Sequence, residues 1–293
     1  MEASTTTEEP LDDTRMTLGQ HLEELRTRVT RSVIALVVIF IVAWIFHKEL
    51  MAITLEPYVR ATTMLKPLWI EHCRAIVAGS TEITWPEYFT SAEMEKLIPA
   101  REIRQTPRSD GASMGFYNYM RVCMYFAIFL GGPYLLWQMW QFIAAGLYKD
   151  EKCIIHTYFP FSVLLFVGGV VFGYYLLVPY ALYFLAKAGL DQFEYWETID
   201  TYFGFLRTLT LALGLVFQLP VVMLALSRIG LVEPKLYATY RPHCIVGALI
   251  VAAILTPPDP YTQMLMAGPI IVLYELGYQI ARFAVKKQEA LVP

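Results

Sequence analysis

The sequence predicts an all-α polytopic membrane protein with six transmembrane helices. Three observations carry this. Of 293 residues, 56% are hydrophobic and 17% charged, against about 25% charged in soluble domains; mean hydropathy is +0.45. Six apolar runs recur along the chain, most of them long enough to cross ~30 Å of hydrocarbon at ~1.5 Å per helical residue. The first run follows directly on a charged octad, His21-Leu22-Glu23-Glu24-Leu25-Arg26-Thr27-Arg28, which the span behind it holds at one membrane face. The net charge of −3 points to no class of partner.

Taken in order, residues 1–16 are polar and acidic and read as a disordered tail. Thr17 to Gln20 has capping-box spacing, so an entry helix starts near Leu18. Glu24 and Arg28 stand four apart and can pair along one face. The first span, Val29–Phe46, has acidic residues before it and no small-residue cleavage site after it, and reads as retained. Residues 48–116 form a long hydrophilic first loop with five prolines, a helix start at Ser91-Ala92-Glu93 and an aromatic patch from Trp85 to Phe89. Gly111–Gly115 matches GxSxG, but a nucleophile elbow needs a strand before it, and no sheet is signalled.

The second span, about Tyr117–Ala144, contains Gly131-Gly132-Pro133. A polar turn, Gly146 to Lys152, leads to the third span, about Ile154–Leu185, with Pro160, Pro179 and a GxxxG at Gly169–Gly173 that permits close helix contact. An acidic loop with Asp191, Glu194, Glu197 and Asp200 precedes the fourth span, about Tyr202–Leu226, which holds Gln218-Leu219-Pro220. The fifth run, Cys244–Thr256, is only ~13 residues, ~20 Å as a helix, and must thin the bilayer or lean on its neighbours. A rigid turn, Thr256-Pro257-Pro258-Asp259-Pro260, joins it to the sixth, Tyr261–Phe283, which carries Glu275 and Pro269. Intramembrane prolines each remove a helix hydrogen bond, so a rigid, proline-kinked concave scaffold is expected.

Six spans put both termini on one side, and the positive-inside rule makes that side cytoplasmic. Arg15, Arg26, Arg28, Arg31, Lys149, Lys152, Arg228, Lys235, Arg241, Arg282, Lys286 and Lys287 lie there, against Lys187 and Arg207 in the short loops and span ends opposite. The 48–116 loop is then extracytoplasmic, 17–293 one membrane domain, and 284–293 a cytoplasmic tail. The four cysteines show no CxxC spacing, and HExxH is absent. No metal, cofactor or nucleic acid is expected, and no enzyme activity. Only Cys73 would face the oxidising side.

This topology puts Glu23 and Glu24 on the same face as Asp150 and Glu151 in the turn after the second span. Carboxylates from two elements make a receptor for paired guanidinium groups, whose planar fork Lys cannot copy. On physics alone, solvated loop acids and a self-paired helix end are the favoured reading of the same residues. A secondary transporter would want inverted repeats and midplane charges, which are lacking. An intramembrane protease would need paired acids, and Glu275 has no partner evident in the sequence. A structural scaffold stays open.

His21-Leu22-x-Glu24-Leu25-Arg26-x-Arg28, Phe142-Ile143-Ala144-Ala145-Gly146-Leu147-Tyr148-Lys149-x-Glu151, and Arg241-Pro242 with Leu255-Thr256-Pro257-Pro258-Asp259 resemble the signatures of the TatC family, in order and over almost the whole chain. The resemblance implies a six-span, concave TatC-like scaffold with short fifth and sixth helices, in the cytoplasmic (inner) membrane. It implies a receptor for twin-arginine signal peptides of folded cargo that assembles with single-span TatA and TatB and with other TatC copies. Glu24 and Glu151 would contact the arginine pair, and His21, Arg26, Phe142, Tyr148 and Lys149 would shape that surface. Thr256 and Gln263 match a patch where a partner helix docks, and Pro57, Asp259 and Glu275 match family positions. Ala145 stands where many relatives have Pro, Gln218 stands where Glu is frequent, and the 48–116 segment is unusually long.

Overall fold

A computed structural model describes residues 18–77, 114–145, 149–189, 198–257 and 259–289, and these are organised as α-helices. Helix α1 (Leu18–Ile45) holds both the charged octad and the first apolar run. The polar residues at its entry are absorbed locally. Thr27, Thr30 and Ser32 donate to the carbonyls of Glu23, Arg26 and Arg28, four residues back. Beyond them Val33, Ile34, Val37, Val38, Ile41, Val42 and Ile45 stand exposed. That is a liability in water and the expected surface in lipid.

Helix α2 (His47–Val77) follows after a single residue, with Pro57 and Pro67 inside it. This corrects the expectation of a loop from residue 48, of which the first thirty residues are helix. Prolines and mixed charges suggest loop, but Leu50, Thr54, Tyr58, Ala61 and Leu65 recur at helical spacing. Four of these are buried and Leu50 packs against the same core. Pro57 is itself buried, and as it lacks an N–H it leaves the Ile53 carbonyl without its helical donor. The Tyr174 hydroxyl donates to that carbonyl at 2.5 Å, and the Tyr202 hydroxyl to the next one, Thr54, at 2.6 Å. The proline thus frees one backbone acceptor, at Ile53, by which Tyr174 grips α2; the Tyr202 bond to Thr54 is a second, separate tie. The Ser91 helix start, the Trp85 patch and Gly111–Ser113 of the GxSxG stretch lie outside the described residues, as do residues 1–16.

Helix α3 (Met114–Ala145) packs along α1. The third span is α4 (Lys149–Phe172), a π-helical turn at Gly173–Leu177, and α5 (Val178–Gly189). Pro179 would clash with the Tyr175 carbonyl of a regular helix, and the π turn spans that carbonyl. The same turn presents Tyr174 to α2. The fourth span is α6 (Ile199–Val216) and α7 (Leu219–Arg228), interrupted at Phe217–Gln218, with Pro220 in the first turn of α7. Pro133, Pro160 and Pro269 lie inside uninterrupted helices. Short α8 (Pro234–Thr239) leads to α9 (Arg241–Leu255) and α10 (Pro260–Glu289).

Among the described residues, five stretches are long and apolar enough to cross a membrane: Gly19–Ile45, Met114–Ala145, Thr157–Lys187, Ile199–Arg228 and Pro260–Lys286; Arg241–Leu255 is a shorter apolar helix. The short fifth helix is as expected. The sixth is not short: α10 runs 30 residues, and its apolar run, Tyr261–Phe283, is by itself long enough to cross the hydrocarbon. The expected GxxxG contact forms between α4 and α6. A Cβ on Gly169 would sit 2.6 Å from the Leu213 carbonyl oxygen, and one on Gly173 3.1 Å from the Thr210 Cα. The main core gathers Tyr58, Val122, Leu177, Tyr202, Leu209 and Met266 from five different segments.

Candidate functional site

The first turns of α1 meet the last turns of α3. The His21 and Phe142 rings stack at 4.3 Å and 28°, so two of the seven residues assigned to the surface touch. Glu24 lies one turn deeper. Its Oε1 accepts from Arg28 Nε at 2.6 Å and lies 2.5 Å from Arg28 Nη2. Arg28 also donates from Nη1 to Gln138 Oε1 on α3 at 3.2 Å. The i,i+4 pair foreseen in the sequence therefore forms, and it does more than satisfy a helix end. Gln138 is almost fully buried, so Arg28 is anchored from the far side and holds the Glu24 carboxylate in place. Sequence reasoning missed Gln138; its signal was an amide, with Gln141 three residues on, near the end of an apolar span. Glu23 and Arg26 form a looser pair at 3.7 Å, both exposed, of the kind worth little.

Lys149 and Glu151 lie in the first turn of α4. Only three residues separate them from the end of α3, so the Cα atoms of Ala145 and Lys149 lie within ~14 Å whatever path the chain takes. Tyr148 is outside the described residues.

The remaining candidates are tied inside the fold. Gln218 sits at the break in the fourth span, 5% exposed. Its Oε1 accepts from the Ser162 hydroxyl, and its Nε2 donates to the Ser162 carbonyl at 3.0 Å. Trp140 Nε1 donates to Ser162 Oγ at 3.1 Å. A buried polar network thus joins α3, α4 and the α6–α7 break, every contact made without a charge. Glu275, with no partner evident in the sequence, is paired with Arg241 at 2.5 Å, accepts from Gln279 at 2.9 Å, and Arg241 lies over the Tyr278 ring at 4.6 Å. Asp259 caps α10, accepting from the Thr262 N–H at 2.7 Å and from its hydroxyl. Thr256 donates to the Ala252 carbonyl at 2.9 Å, the local alternative for that side chain.

Gln263 Nε2 donates to the Leu249 carbonyl at 3.1 Å, a bond from α10 to α9. Gln263→Leu is therefore expected to lower stability by about 0.6–2 kcal/mol, the range for an interhelical hydrogen bond in lipid. Unfolding in mixed micelles measures it, and an unchanged midpoint would show that the tie contributes nothing.

Comparison with known proteins follows the same map. Residues 20–269 match the family model described as Sec-independent protein translocase protein (TatC). A relative from Halothiobacillus neapolitanus, a Sec-independent protein translocase protein TatC, is 33% identical over 92% of this chain, which spans 63% of that relative's length. The Escherichia coli K12 protein of the same name is 30% identical over 91% of this chain and 88% of its own. The crystal structure of a twin arginine translocase receptor, TatC, superposes with a TM-score of 0.66 at 26% identity, covering 90% of this chain and 99% of that one. A second, in the detergent DDM, gives 0.67 at 27%.

Proposed function

Because this chain belongs to the TatC family of Sec-independent protein translocase components, we propose that it is the twin-arginine signal-peptide receptor of its translocase. The family acts in protein transport as a multi-pass membrane component and is not an enzyme family. In this reading both termini are cytoplasmic, in the inner membrane, and the scaffold is concave. Glu24 and Glu151 take the two arginines, and His21, Arg26, Phe142, Tyr148 and Lys149 shape the surface.

One observation carries the proposal: the His21–Phe142 stack brings the octad of α1 beside the end of α3. The three-residue link then keeps the first turn of α4 close. Arg28 occupies one oxygen of Glu24 and leaves Oε2 for an incoming guanidinium. Paired carboxylates favour Arg over Lys because only Arg offers a planar fork. The test is binding of a signal peptide to the purified protein in nanodiscs. Changing its arginine pair to two lysines should weaken binding by about tenfold or more. Equal affinity for both peptides would remove the receptor reading.

Assembly with TatA, TatB and further copies of this chain belongs to the same proposal. Gln263 spends one amide proton on Leu249, and its Oε1 can accept from a polar residue on a single-span partner. Gln263→Leu should move partner crosslinks away from α9 and α10 while peptide binding persists.

A further inference from the structure

A cleft of about 630 Å³ opens between α8 and the C-terminal part of α10, far in the chain from the octad. Two helical stripes line it. Tyr278, Arg282, Val285 and Lys286 come from α10, and Glu233 and Lys235 from the start of α8. Three cations thus face one carboxylate. Among the described residues none of the three cations has an ion-pair or hydrogen-bond partner, and all three are exposed. The second nearby acid, Glu275, is already neutralised by Arg241.

The cleft is built in. The Tyr274 hydroxyl donates to the Tyr237 carbonyl at 2.8 Å, and the Tyr237 hydroxyl to the Met223 carbonyl at 3.2 Å. These bonds pin α8 to α10 and α7 at one edge and leave the other open. In and beside α8 along the chain, Leu231, Leu236 and Tyr240 are all exposed. A short helix with apolar side chains outward beside a basic cleft, where the last span leaves its apolar run, fits the membrane–water interface.

We propose that this cleft binds the phosphate headgroup of an anionic phospholipid. Arg282 and Lys235 clasp the phosphate from opposite walls, with Lys286 at the mouth, and the acyl chains leave over Leu231 and Leu236 into the bilayer. Basic pockets between helix ends suit such headgroups, with Arg offering the bidentate fork. The exposed apolar side chains in and beside α8 argue for a lipid over a free anion, which would need the cations alone. The inference does not depend on signal-peptide binding at Glu24 and Glu151.

Native mass spectrometry of the full-length protein, titrated with phosphatidylglycerol or phosphatidylcholine, tests it. The intact protein should prefer phosphatidylglycerol, and the triple variant Lys235→Gln/Arg282→Gln/Lys286→Gln should lose that preference by about tenfold or more. Lys48→Gln, at the start of α2, should keep it. If the triple variant misfolds, exposed Arg282→Gln alone should show a partial loss. A triple variant with intact preference would overturn the proposal. So would displacement of the lipid by millimolar inorganic phosphate, which would mark a site for a free anion.

Discussion

Gly169→Ala is expected to destabilise the protein by about 1–3 kcal/mol, and Gly169→Val by more, while Gly168→Ala next to it changes nothing or stabilises slightly. The contrast comes from what each new Cβ would meet. At Gly169 it would stand 2.6 Å from the Leu213 carbonyl oxygen and 2.8 Å from Phe217 Cγ; at Gly168 nothing lies within 4 Å. The first neighbour is backbone and cannot rotate away, so α4 and α6 must separate. They separate where α6 ends and the Gln218–Ser162–Trp140 network begins. Prising them apart also strains hydrogen bonds in an apolar interior, where unmade bonds are costly. Gly173→Ala should cost less, its nearest contacts being 3.1 Å. Thermal unfolding of the four variants in one detergent checks the order. A Gly169→Ala protein as stable as Gly168→Ala would mean that the two helices do not approach through this face.

The GxxxG contact was legible in the sequence because a small-residue pair inside an apolar run has few other uses. The spans were legible for a similar reason: lipid imposes length and apolarity on every crossing segment. Helix α2 was not read, although Leu50, Thr54, Tyr58, Ala61 and Leu65 carry its period, because Pro57 and Pro67 weigh as breakers when their neighbours are unknown. For Pro57 the structure supplies that neighbour in Tyr174, whose hydroxyl takes up the freed Ile53 carbonyl. The Glu275–Arg241 pair joins residues 34 positions apart, and no local pattern states such a pairing. At the site, the Glu24–Arg28 pair followed from helical spacing, whereas the Arg28–Gln138 bond, 110 residues apart, depended on how α1 lies on α3.

That bond shapes the largest functional effect to be expected. Glu24→Ala and Glu151→Ala should each weaken twin-arginine peptide binding by about tenfold or more, since a hydrogen bond to a charged group is worth roughly 1.5–3 kcal/mol. The double variant should lose about a hundredfold or more if the two acids act on separate arginines. Glu24→Ala should exceed a simple deletion. Arg28 stays fastened to Gln138 when its carboxylate partner is gone, and then presents an unneutralised cation to an incoming arginine. Glu24→Gln keeps an acceptor for Arg28 but removes the charge, so it should fall between Glu24→Ala and the intact protein. Combining Glu24→Ala with Arg28→Gln should recover part of the loss by removing the repulsion. The fold should survive these changes, because the pair lies in the first turns of α1, its side chains still reach solvent, and in Glu24→Ala the Arg28 guanidinium keeps its Gln138 partner. Peptide titration in nanodiscs, with unfolding midpoints taken on the same samples, separates binding from stability. Binding unchanged in both single variants, at unchanged midpoints, would place the arginine receptor elsewhere on the molecule. A Glu24→Ala/Arg28→Gln protein binding worse than Glu24→Ala would show that Arg28 positions the peptide itself instead of its acceptor.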